Sequence, residues 1–208
     1  MNAVLMDLYH KILTEKNPAM NLHMETHYSY ELYGLLENHE IDIGFVYHHL
    51  HFRNIIAEPV LREKMYIVQP ENARIRKPSI HTDELDPSDE VFVSWDGNFR
   101  IWHDQRIGQG KLPKVWVDSF GLLDHMLEED GVWAIVPASV VDRISQLKPI
   151  YISRIANEVQ PPERTIYKIK HRYPNEATLK AVQIFEEKME RYLLDRNWGS
   201  FEKKQESD

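Results

Sequence analysis

The chain has 208 residues, 42% of them hydrophobic and 28% charged, with a formal net charge of −8. That composition describes a globular chain long enough for one sizeable core or two small lobes, and the acidic balance argues against these residues alone wrapping a polyanion. No cysteine is present, which closes disulfides, zinc–thiolate centres, iron–sulfur clusters and thiol catalysis.

The amino end, MNAVLMDLYHKI, places Asp7, His10 and Lys11 inside what would have to be the apolar region of a signal peptide. No apolar run approaches the length that spans a bilayer. The reading is a cytoplasmic protein without membrane attachment. Leu5, Leu8, Tyr9, Ile12 and Leu13 recur at helical spacing, and Asn17-Pro18 stops that helix. LHMET, 22–26, alternates Leu22, Met24 and Thr26 as a short strand. A second helix starts near Ser29, a suitable cap, and buries Leu32, Leu35 and Leu36. IDIGFVY, 41–47, is a strand with Ile41, Ile43, Phe45 and Tyr47 on one face and small Gly44 and Val46 on the other. This helix–strand–helix–strand rhythm predicts right-handed crossovers and a parallel sheet.

Two strands, 55–60 and 64–69, follow, with a tight polar link at 61–63. Residues 70–89 are rich in Pro, Asp, Glu and Ser and read as a long surface connection. VFVSW, 91–95, is an apolar strand, and the DGN turn opens a helix over 99–107. KVWVD, 114–118, is another strand. Ser119 then caps a helix carrying Phe120, Leu123 and Leu127, and Gly131 ends it. VWAIV, 132–136, is a buried strand, and Pro137 opens a short helix through Arg143. Strands at 150–155 and 164–170 and a helix over about 175–194 complete the chain, before a polar tail.

Chemistry-bearing residues are few. His48, His49 and His51 follow the 41–47 strand, and His49 and His51 project the same way in an extended chain. Two imidazoles alone do not make a stable metal site, which needs three or four ligands, so no metal or cofactor is assigned. Ser94 and Ser119 lack a G-x-S-x-G elbow, the carboxylates are scattered, and no G-x-G-x-x-G or phosphate loop is present. No catalytic residue is assigned from these motifs. Ser119 serves equally as a helix cap and as an anion contact at a helix amino end. Trp95 and Trp133 default to core packing, with Trp95, last before its turn, the better pocket wall.

Three segments resemble the LysR-type transcriptional regulators: NLHMETHYSYELYGLLENHEIDIGFVY, then IIAEPVLREKMYIVQPEN, then VDSFGLLDHMLEEDGVWAIVPASVVDRI. In the last of these, Gly131, Ala134 and Pro137 fall at the family's Gly, Ala and Pro. The resemblance implies the effector-binding domain. That is an α/β, two-lobed fold of the periplasmic-binding-protein type 2 kind. Each lobe is a mostly parallel sheet flanked by helices, and two crossover strands join the lobes. The first lobe would take 1–58 and 162–208, and the second 59–161. The winged helix-turn-helix and the domain's first strand are absent from this sequence, so DNA contact is not expected of it. The gap in the first sheet would be filled by another chain or by altered packing.

Carried over residue by residue, the resemblance implies effector contacts from Asn2 and Ala3, from Tyr47 and His48, and from Ser94, Trp95, Asp96 and Asn98. It adds Ser119 and Phe120 at the next helix start, with Trp133 and Val136 on the neighbouring strand. The implied partner is a small-molecule effector such as an organic anion, held between lobes, in a homodimer or tetramer that controls transcription. A soluble binding protein or enzyme on the same fold, and a shortened dimerisation fragment that binds nothing, are the alternatives.

Overall fold

A computed structural model describes residues 8–12, 21–107 and 110–195 of the chain. These residues separate into two compact units. One comprises the described residues up to Arg62 together with those from Thr165, and the other is Glu63–Arg164.

In the first unit, residues 8–12 are helical, followed by α1 (Ser29–Glu37), β1 (Ile43–Val46), β2 (Ile55–Glu63), β9 (Arg164–His171) and α5 (Leu179–Asp195). Tyr28, one residue earlier than expected, caps α1, and its N–H donates to the Glu31 carboxylate. Tyr33 and Leu36 are the buried residues of α1. They pack with Val46, Ile55 and Ile169, and each such fully buried side chain contributes roughly 1.5–3 kcal/mol. Gly44 sits opposite Ile169 in the β1–β9 ladder. A Cβ on Gly44 would meet Ile169 Cγ1 at 3.0 Å, so the close approach of that strand pair needs glycine. On β9, buried Lys168 lies 2.9 Å from Glu58 and also bonds Glu186, which Lys170 shares at 2.7 Å. Burial alone would push the Lys168 ammonium down, but the two carboxylates outweigh it and hold its pKa above the usual lysine value.

The strand expected at 22–26 does not form: residues 21–28 carry neither helix nor strand and are largely exposed. Alternation alone cannot hold an extended segment, and no described strand pairs with it.

The second unit contains β3 (Met65–Pro70), β4 (Ser79–Ile80), β5 (Val91–Val93), α2 (Gly97–Arg106), β6 (Val115–Val117), α3 (Phe120–Met126), β7 (Ala134–Pro137), α4 (Ala138–Leu147) and β8 (Ile150–Ile155). The stretch 70–89 is more structured than its composition suggests. It holds β4 and two 3-10 turns, Thr82–Glu84 and Pro87–Asp89. Buried Asn157 fixes the first turn, accepting from the Thr82 N–H at 3.0 Å and donating to its hydroxyl.

The expectation of mostly parallel sheets is corrected: the β1–β9, β3–β7 and β3–β8 ladders run antiparallel. β7 and β8, joined by α4, are antiparallel to a shared neighbour. Both strands oppose β3, so they run parallel to each other, but β3 occupies the slot between them in the order β4-β8-β3-β7. β4 runs parallel to β8, and β5 to β6. A parallel bridge between Glu90 and Trp133 sets β5 beside β7. Helical rhythm reports strand direction along the chain, not which strand is inserted between two others.

Alternate residues of β3, β5 and β7 feed two cores on opposite sheet faces. Tyr66, Val68, Val91, Val93, Ala134 and Val136 meet Leu123, Val141 and Ile144. Met65, Ile67, Phe92, Trp133 and Ile135 meet Phe99 and Trp102. Covering both faces explains why these strands read as continuous apolar runs.

Candidate functional site

β5, β6 and β7 run in the same direction, so the segments after Val93, Val117 and Pro137 leave the second unit's sheet on one edge. Val93 and Val117 are partners in register, which sets residues 94–96 beside 118–119. Crevices outside the carboxyl ends of parallel strands are where ligands of α/β sheets bind. Each of the three segments starts a helix, and each start has a different cap. Asp96 caps α2, its carboxylate accepting from the Phe99 N–H at 2.8 Å. Ser119 caps α3, its hydroxyl accepting from the Leu122 N–H at 3.4 Å. α4 has no side-chain cap of its own, because Pro137 stands at that position. Glu63, the last residue of β2, supplies it, accepting from the Ser139 N–H at 2.8 Å.

Glu63 is 1% exposed. Residues 61–63 were read as a polar link, whereas β2 continues through them and buries the carboxylate. Burial pushes its pKa above the usual carboxylate range, partly offset by Ser139 and by the positive charge of Arg164. Its second oxygen and the Ser139 hydroxyl are buried without hydrogen-bond partners. The Arg164 guanidinium lies over the Trp95 ring, 4.8 Å from its centre. The indole N–H of Trp95 donates to the Ile135 carbonyl at 2.7 Å.

The second unit thus brings Ser94, Trp95, Asp96, Asn98, Ser119 and Phe120 to one edge. Ser94, Asn98 and Ser119 are exposed, and Trp95, Asp96 and Phe120 half-buried. Trp133 and Val136 are not on that surface. Trp133 lies at the amino end of β7, buried, with its N–H on the Asp86 carbonyl at 2.8 Å. Val136 is buried on the opposite sheet face, paired with Tyr66. In the first unit, Tyr47 and His48 follow β1, with Tyr47 half-buried and His48 exposed. The buried Tyr33 hydroxyl clamps this loop, donating to the His48 carbonyl at 3.1 Å and accepting from the Leu50 N–H at 2.9 Å. The His49 ring stacks on Tyr167 at 5.6 Å. Asn2 and Ala3 lie outside the described residues. Among the described residues no group of three His, Asp or Glu side chains is arranged to hold a metal ion. Among them, too, no helix is long and apolar enough to cross a membrane.

Sequence reasoning missed Glu63, Arg164 and Tyr33. A charged residue ending one strand and another opening a later one were the available signals for the first two.

Residues 10–190 match the family model of the LysR substrate binding domain. A comparison with curated proteins gave no match. Among solved structures, the reduced form of the OxyR regulatory domain from Pseudomonas aeruginosa is similar, with a TM-score of 0.68 at 19% identity over 91% of this chain and 88% of that one. A full-length OxyR variant from the same organism gives a TM-score of 0.71 at 18% identity, covering 91% of this chain and 63% of that one. A Corynebacterium glutamicum OxyR mutant bound to hydrogen peroxide gives 0.64 at 12% identity, covering 93% and 61%.

Proposed function

The chain belongs to the LysR substrate binding domain family, a family of transcription-regulator domains and not of enzymes; from that premise we propose which surface senses the effector. A small metabolite sits on the edge of the second unit where β5 and β6 end. Asn98, Ser119 and the backbone N–H groups at the helix starts supply hydrogen bonds, and Trp95 and Phe120 supply apolar surface. The observation that supports this is the convergence of helix starts beyond three strands that point one way. For the first unit the reading rests on Tyr47 and His48, whose loop Tyr33 holds. Trp133 and Val136 contribute packing only, since both are buried.

The proposal assigns residues 59–161 to one lobe of the effector domain and 1–58 with 162–208 to the other. It places the protein in the cytoplasm and leaves DNA contact outside these residues. One chemistry is closed to it. Without a cysteine, the chain cannot answer an oxidant through a thiol or a disulfide. Its effector is therefore not sensed through a thiol.

A thermal-denaturation screen against carboxylates, amino acids, aromatic acids and sugars tests the reading. A ligand present at about 100-fold its Kd adds about 2.7 kcal/mol of stability, enough to move the transition by several degrees. A hit whose shift is lost in Asn98→Ala and Ser119→Ala supports the site, and a panel with no shift counts against it.

A further inference from the structure

We propose that a pocket of the first unit, between the helical residues 8–12 and α5, binds a small organic carboxylate with an apolar body. The site shares no residue with the proposed effector surface and does not depend on it. Its walls are Leu8, Lys11 and Ile12 on one side and Lys188, Arg191 and Tyr192 on the other. The pocket measures about 260 Å³ including its open mouth, which suits a ligand of few atoms. Helical spacing makes both walls. Leu8 and Ile12 are four residues apart, as are Lys188 and Tyr192, and Lys188 and Arg191 are three apart, so each set shares one helix face. Burial then divides the lining by chemistry. Leu8, Ile12 and Tyr192 are 1%, 2% and 5% exposed and form an apolar floor. Lys11 and Arg191 are exposed and Lys188 is half-buried, so the cationic groups stand where that floor meets water. The Lys11 ammonium lies 5.7 Å from the centre of the Tyr192 ring, which joins the two walls.

The chain carries 33 acidic and 25 basic residues, yet none of the six residues lining this pocket is acidic. Like charges three residues apart on a helix repel one another, and an anion seated among them relieves that repulsion. Lys11 and Lys188 keep further contacts of their own, so the ligand adds to those contacts and fills no vacancy. The chemistry of the lining sets the ligand class. A carboxylate meets the cations through charge-assisted hydrogen bonds, for which the Arg191 guanidinium offers a two-pronged donor. The floor gives nothing to a bare inorganic anion. An aryl or alkyl group laid on Leu8, Ile12 and the Tyr192 ring removes apolar surface from water. A ligand with both parts touches residues 8–12 and α5 at once and fastens the one to the other.

The experiment titrates the full chain, labelled with nitrogen-15, with three probes: phenylacetate, its uncharged isostere phenylacetamide, and inorganic phosphate. Phenylacetate is expected to shift the amide signals of residues 8–12 and 188–192 saturably. Its affinity falls about threefold in Lys188→Gln and by a similar factor in Arg191→Gln, since each removes one partly exposed charge. Raising the salt from about 50 to about 500 mM weakens it as well. Phenylacetamide, without the charge, leaves these signals in place, and phosphate, without the apolar body, binds more weakly. Equal binding of phenylacetamide, equal affinity for phosphate, affinity unchanged in both variants, or no shift at these amides with millimolar phenylacetate overturns the proposal. Should a variant fail to fold, the comparison of the three probes on wild type still decides. Shifts confined to residues 94–98 and 118–120 support the effector surface of the second unit and overturn this site. Shifts confined to residues 8–12 and 188–192 support this site and leave the effector surface to its own screen.

Discussion

The Glu63 carboxylate accepts a hydrogen bond from the Ser139 backbone N–H at 2.8 Å, so the helix that follows β7 is capped by a side chain 76 residues earlier in the chain. A helix that begins at Pro137 has no oxygen of its own to offer its first N–H groups. The long-range carboxylate satisfies one of them.

Removing that cap has a defined cost. Glu63→Ala leaves the Ser139 N–H without its acceptor and should destabilise the chain by about 1–3 kcal/mol in denaturant melts. Glu63→Gln keeps an acceptor and should cost much less. The two also differ in pH dependence. Because the folded pKa of Glu63 is raised, the unfolded chain ionises first as pH rises. Wild type therefore loses stability between the ordinary glutamate value of about 4.3 and the raised folded value, with the full contribution present only below that window. Glu63→Gln should lack that slope.

The buried Glu90–His103 pair ties the residue before β5 to α2. His103 Nε2 lies 2.8 Å and 2.9 Å from the two Glu90 oxygens, and both residues are buried. Burial raises the Glu90 pKa and His103 draws it back. His103→Ala would leave the buried Glu90 carboxyl without its hydrogen-bond partner and should cost about 1–3 kcal/mol. Replacing both by apolar residues of similar volume should recover much of that loss, which a double-mutant cycle in urea would measure.

Gly44 tests the packing of the first unit. Its missing Cβ leaves room for Ile169, whose Cγ1 and Cδ1 would lie 3.0 and 3.2 Å away. Gly44→Ala should destabilise by about 1–3 kcal/mol through overpacking. Ile169→Val removes the Cδ1 contact, so the double variant should lose less than the two separate losses together.

Tyr33 tests the clamp on the His48 loop. Tyr33→Phe keeps the ring on Phe52, at 4.8 Å, and removes only the hydroxyl. A net loss of about 0.5–1.5 kcal/mol is expected, with faster amide hydrogen exchange at Leu50. Unchanged exchange at Leu50 would show that the hydroxyl does not hold the loop.

Much of the local structure was legible because short-range physics fixed it. Ser119 and Pro137 stand at the helix starts where the sequence placed them, and the strand at 150–155 has the bounds its apolar run suggested. Long-range choices were not legible. Nothing in residues 64–69 says that β3 enters between β7 and β8, because insertion is decided by sheet pairing across the chain. Trp133 illustrates the same limit. The expected strand at 132–136 runs over Ala134–Pro137, leaving Trp133 at a bridge just before it, and which end of that strand it occupies relative to the proposed edge depends on the neighbouring β5. Glu63 and Arg164 were invisible as a pair because about a hundred residues separate them in the sequence and only the fold brings their charges together.

The central claim is that the second unit's edge is an effector surface, and titration calorimetry with the best ligand from the screen tests it most directly. The account expects saturable one-site binding to wild type, weakened about tenfold or more in Trp95→Ala and Ser119→Ala, the loss of a contact worth about 1.4 kcal/mol or more. Binding unchanged in both variants, or no saturable binding at any ligand that shifts the melting temperature, would contradict it.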